Sequence, residues 1–101
     1  MLKKIYSIMG HGACIIKDGQ VSEVYLLSDD EVELISKFAP LTLSLPEDFK
    51  FGIFEDEDGR VVILKYSEGF VGLPTQKENV MELIKEIEVK LYDQVLSSQN
   101  G

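Results

Sequence analysis

The chain has 101 residues and a mass of 11.4 kDa, enough for one domain and too short for a second. With 45% hydrophobic and 28% charged residues it is too apolar to remain disordered, so a folded globule is expected. Acidic side chains outnumber basic ones 18 to 10, for a net charge of −8. That balance argues against a nucleic-acid binder, because phosphate contacts supply most of such affinity.

Met1-Leu2-Lys3-Lys4 has the charge of a signal peptide, but Ser7, Gly10, His11 and Gly12 interrupt it before an adequate apolar core. No apolar run reaches the roughly 18–20 residues that a bilayer span needs. A cytoplasmic protein with no membrane span is therefore expected. Residues 4–9 alternate like a strand, and Gly10-His11-Gly12 reads as a bend. Two hairpins follow from Asp-Gly signals, since these pairs readily take φ > 0 at both central turn positions. The first joins residues 12–17 to 20–27 through Asp18-Gly19. The second joins residues 49–54 to 60–66, with Asp58-Gly59 as its turn. A fifth extended piece, 69–73, ends at Pro74.

Between the hairpins, Ser28-Asp29-Asp30-Glu31 is a capping box with Ser28 as N-cap, and Leu27 and Val32 occupy the positions of a hydrophobic staple. This helix should stop before Pro40. Residues 41–45 alternate like a strand, or form a loop whose leucines dock on the core. Thr75-Gln76-Lys77-Glu78 is a second box, opening a helix to about residue 96. Residues 97–101 read as a frayed tail, so residues 1–96 form one domain. Val61-Val62-Ile63-Leu64 and Cys14-Ile15-Ile16 are apolar on both faces, as in strands covered on both sides. The expected fold is α+β, a roughly five-stranded antiparallel sheet of order β-β-α-β-β-β-α with helices on its two faces.

The chemistry of common active sites is absent from the sequence. One cysteine, Cys14, forbids an intramolecular disulfide and suits a reducing compartment. His11 lies three positions earlier, on the opposite face of any strand, so a Cys–His nucleophile would need a turn between them. The simpler reading is a small buried thiol beside a histidine in a bend. One His and one Cys cannot make a zinc site without carboxylates from elsewhere. Gly10-His11-Gly12 lacks the third glycine of a dinucleotide fingerprint, and no Gly-Lys-Ser/Thr follows it. Aligned as a calcium loop, the run 55–59 puts Phe54 and Lys65 at ligand positions, which excludes that reading. No catalytic residue, cofactor or metal is expected.

The stretch Gly12-Ala13-Cys14-Ile15-Ile16-Lys17-Asp18-Gly19-Gln20-Val21 resembles the first hairpin of the Roadblock/longin superfamily, whose folds are also profilin-like. Arg60-Val61-Val62-Ile63-Leu64 is similar to its fourth strand, and residues 69–82, with Gly72-Leu73 before the helix, resemble the junction into its last helix. These stretches cover 29 of the chain's 101 residues. Roadblock domains begin with a helix, whereas residues 4–9 alternate like a strand, which moves the match toward longin-type domains. The resemblance implies a non-enzymatic platform that dimerises or pairs with relatives and scaffolds or regulates small Ras-like GTPases. It also implies that the third strand, residues 49–54, pairs with its mate.

In the long helix, Leu83, Ile84, Ile87, Leu91 and Val95 fall within about 60° of Val80 and form the core stripe. Met81, Val89, Tyr92 and Leu96 make a second apolar group, either scattered exposed residues or a contact surface for a partner. The candidate partner interface is therefore Phe49, Phe51, Ile53, Met81, Val89, Tyr92 and Leu96. The leading expectation is a homodimeric interaction module regulating a small Ras-like GTPase. The other classes are a small acidic inhibitor or viral-type protein that masks a basic surface, and a small enzyme using Cys14 or His11.

Overall fold

The computed structural model describes residues 2–66, 69–76 and 79–90. Among these residues it is an α+β fold with three α-helices and a five-stranded antiparallel open sheet of order β2-β1-β5-β4-β3. In chain order these are α1 (Leu2–Met9), β1 (Ala13–Lys17), β2 (Gln20–Tyr25), α2 (Asp29–Phe38), a 3-10 helix (Ala39–Ser44), β3 (Phe51–Asp56), β4 (Gly59–Tyr66), β5 (Gly69–Thr75) and α3 (Val80–Glu86).

The first segment corrects the sequence reading. Residues 4–9 lie in helix α1, because Leu2, Ile5, Ile8 and Met9 recur at helical spacing and pack together against the sheet. Ile5 is 1% exposed. Gly10 follows with φ +72, the left-handed conformation that ends helices, and its N–H donates to Tyr6 O at 2.8 Å.

The first hairpin forms as expected. Asp18 and Gly19 take φ 53 and 75 between paired Lys17 and Gln20. The second turn sits one residue earlier than expected, because Asp56 pairs with Gly59 and leaves Glu57-Asp58 at its centre. The reason is local: the Asp56 carboxylate accepts the N–H of Asp58 at 2.8 Å and of Gly59 at 3.2 Å, closing the turn from its own first residue.

Three further expectations change. Residues 41–45 make neither a strand nor a docked leucine loop. Pro40 stops α2 and the chain tightens into the 3-10 helix, held by Thr42 Oγ1 donating to Ala39 O at 2.7 Å. Leu41 and Leu43 stay exposed there. Strand β5 runs through Pro74 to Thr75, because pairing with β1 ends at Gly72 and the missing proline N–H falls on the side that has no partner strand. Consequently Thr75 is not a helix cap. Asn79 is the N-cap of α3, accepting Glu82 N at 3.2 Å. The expected continuation to residue 96 lies outside the described residues.

Two cores follow from strand alternation. Ile15, Val62, Leu64, Val71 and Leu73 face α1 and α3, where Leu83 and Ile87 bury themselves. Cys14, Ile16, Val61 and Ile63 face α2, which contributes Ile35. Helices therefore cover both faces, and the doubly apolar strands are the central ones. Helix α2 starts where the capping box placed it: Glu31 N donates to Ser28 Oγ at 3.2 Å, and Ser28 N to Glu31 Oε1 at 2.8 Å.

Candidate partner-binding surface

Among the described residues β3 is an edge strand, bonded to β4 on one side and without a partner strand on the other. Its register with β4 is continuous from Phe51↔Leu64 to Asp56↔Gly59. β2, the opposite edge, is interrupted: its pairing shifts between Ile15 and Ile16, and Glu23 stands exposed beside the shift. Bulges and charges blunt an edge against further pairing. The two edges are thus unequal, and β3 is the one suited to accept another strand.

Alternation along β3 sends Phe51 and Ile53 to the α1/α3 face and Phe54 to the α2 face, each half-buried. Phe49 precedes the strand, a correction to the expected start, because its N–H donates to Pro46 O at 3.0 Å in a turn. Its ring packs on the α2 side, 6.1 Å from Phe70, and Phe54 lies 6.0 Å from Phe38. Phe38 and Phe70 were not singled out from sequence. Their membership in this aromatic band depends on strand β5 and helix α2 meeting in space.

The second half of the candidate interface is only partly described. Met81 and Val89 on and after α3 are 65% and 61% exposed. Tyr92 and Leu96 lie outside the described residues. The structure therefore groups Phe51, Ile53 and Phe54 on the β3 edge and leaves Met81 exposed on α3.

Along α2 a cleft of ≈ 490 Å³ opens between that helix, the β3–β4 turn and the end of β5. His11 borders it and ties the α1–β1 bend to α2, with Nε2 3.0 Å from Glu31 Oε2 and Nδ1 3.0 Å from Gly12 O. The Ser28 N–H, with a smaller contribution from His11, holds the Glu31 carboxyl below its ordinary range. Lys37 bridges Asp56 and Asp58 across the cleft. The Asp58 N–H, with help from Lys37, likewise keeps Asp56 ionised to lower pH.

Cys14 is fully buried on the α2 face, and burial pushes its thiol up to about 11. His11 is held by Glu31 and Gly12 and Cys14 is buried in the α2 core, so the structure does not bring the two together as a nucleophile–base pair. Among the described residues no group of three or more His, Cys, Asp or Glu is placed to hold a metal, and no helix is long and apolar enough to cross a membrane.

No family model and no solved structure matches the chain. A relative in Archaeoglobus fulgidus, described as an uncharacterized protein, is 50% identical over 97 residues, which are 96% of this chain and 99% of the relative. Half of all positions agree across nearly the whole of both chains, so the chain belongs to the family of this Archaeoglobus fulgidus protein.

Proposed function

We propose that the protein is a non-enzymatic, cytoplasmic interaction module: a homodimer that scaffolds or regulates a small Ras-like GTPase, as the resemblance to Roadblock and longin domains implies. The observation that carries the reading is the β3 edge, regular along its length and flanked by half-buried Phe51, Ile53 and Phe54. A two-fold strand pairing satisfies both copies at once. The α1 helix adds support, since Roadblock domains begin with a helix. A net charge of −8 steers basic partners toward the surface, speeding association more than tightening it.

Light scattering at tens of micromolar tests the dimer, with a mass of two chains expected. Pulldown from the native cell, followed by mass spectrometry, tests the partner and is expected to return a Ras-like GTPase or its complex. With that partner in hand, Tyr92→Ala weakens binding by about 1–3 kcal/mol and leaves folding intact. A monomeric mass, or a catalytic turnover lost on His11→Ala or Cys14→Ser, overturns the reading.

A further inference from the structure

The 3-10 helix turns a leucine away from the core. With three residues per turn, Ala39 and Thr42 share its buried face, and Leu43 falls on the next face, 70% exposed. Leu43 borders a groove of ≈ 480 Å³, walled on one side by the β1–β2 turn at Asp18-Gly19 and on the other by residues of the segment 42–47. We propose that this groove docks a short segment of a partner protein in which an apolar side chain stands beside a lysine or arginine. None of its lining residues lies in β3, so the site is separate from the edge described above and stands without the dimer reading.

The apolar lining is built by three separate pieces of chain. Buried Ile16 and half-buried Phe70 come from β1 and β5, on the α2 face of the sheet. Leu43, Leu45 and Pro46 come from the 3-10 helix and its exit. The turn glycine lets the two walls meet: a Cβ at Gly19 would lie 2.8 Å from Leu43 Cδ1. A single exposed leucine is ordinary on a protein surface. A leucine at the mouth of a concave apolar lining is not, and a volume of this size lies within the range of about 300–1,000 Å³ typical of binding clefts.

Charge selects the occupant. Each wall carries one exposed carboxylate, Asp18 on the turn and Glu47 beyond the 3-10 helix. Among the described residues neither is held in an ion pair. Lys65 is the cation among the lining residues, and its ammonium lies over the Phe70 ring, 4.7 Å from the centroid, at the floor. Lys17, next to Asp18, belongs to the opposite face, because Ile15 and Ile16 before it alternate between the α1/α3 and α2 cores. A basic side chain flanking an apolar anchor therefore meets a carboxylate on each wall, whereas an acidic segment meets like charge twice. The net charge of −8 draws such a basic segment toward the surface.

Selection of phage-displayed random peptides on the immobilised full chain tests the groove. Enriched sequences are expected to place Leu, Ile, Phe or Met beside Lys or Arg. The most enriched peptide, synthesised with a fluorescent label and titrated by anisotropy, is expected to bind Leu43→Ser on the order of ten-fold more weakly, because the change removes apolar contact without adding charge. Asp18→Asn and Glu47→Gln are expected to bind it more weakly than the wild type and with a shallower dependence on salt. All three positions are exposed, and Asn tolerates the left-handed conformation that Asp18 holds at φ 53, so the variants keep the fold, which circular dichroism checks. No enrichment over bare support, enrichment of acidic sequences, or a peptide bound equally by Leu43→Ser overturns the proposal. A dimeric wild type that becomes monomeric on Leu43→Ser also overturns it, since a second copy is then the occupant.

Discussion

Replacing Gly12 by alanine is expected to damage the fold far more than the same change two positions earlier. A Cβ at Gly12 would lie 2.2 Å from Leu26 O and 2.3 Å from Tyr25 O. Both are backbone atoms, so no rotamer change relieves the clash. An ordinary C···O approach is about 3.3 Å, so the two carbonyls must retreat by about 1 Å. That opens the β1–β2 ladder at Ala13↔Tyr25 and displaces Leu26, whose φ of 52 turns the chain into the Ser28 cap. Overpacking costs about 1–3 kcal/mol where side chains can yield, and a rigid backbone contact belongs at or above about 3 kcal/mol. Gly10 is the control. Its φ is +72 and nothing lies within 4 Å of its Cβ position, so alanine there adds only left-handed strain of about 1 kcal/mol. At about 4–8 °C per kcal/mol for a domain of this size, Gly12→Ala should lower Tm by at least about 12 °C and Gly10→Ala by about 4–8 °C. Thermal melting followed by circular dichroism at one fixed protein concentration decides it. If Gly10→Ala proves as damaging as Gly12→Ala, the steric reasoning is wrong.

The capping box gives a second expectation: Ser28→Ala removes the acceptor for Glu31 N and should cost about 0.5–2 kcal/mol in urea unfolding. Acid stability gives a third. Glu31 and Asp56 have carboxyls lowered in the fold, chiefly by the N–H groups of Ser28 and Asp58, so their contribution is complete above their unfolded values near pH 4. It is lost as pH falls through the folded values, and Glu31→Gln should flatten the stability–pH curve on that acid side. Finally, a thiol pushed up to about 11 and fully buried should resist iodoacetamide near pH 8 until urea unfolds the chain. Rapid labelling of Cys14 in the native protein would contradict its placement.

How much of this was legible in the sequence depended on whether the signal was local. Asp18-Gly19 and the Ser28–Glu31 box carry their own geometry, and both formed as read. The turn at residues 56–59 slipped by one because an acidic run offers several possible turn residues, and only the hydrogen bonds of Asp56 choose among them. Helix α1 was missed because eight residues hold little more than two turns, and Lys4-Ile5-Tyr6-Ser7 fits both periods until Leu2 and Met9 are counted. Thr75 resembled a helix cap because Glu78 stands three residues on, the spacing of a capping box. Its pairing with Arg60 is a long-range fact that no local pattern contains. For the candidate surface, Phe51 and Ile53 were visible through alternation, whereas Phe38 and Phe70 became neighbours of Phe49 and Phe54 only once the sheet was assembled.

The inequality of the two sheet edges has a consequence for concentrated solutions. Growth of a fibre by lateral strand addition requires that each new unit present a fresh receptive end. Where the regular edge meets a copy of itself, both outer ends of the product are β2, with its shifted pairing and exposed Glu23. Such a pair is terminated at both ends, like a polymer capped at its first step. For the dimer proposed above, crowding or a rise in expression is expected to add more pairs and lengthen none of them.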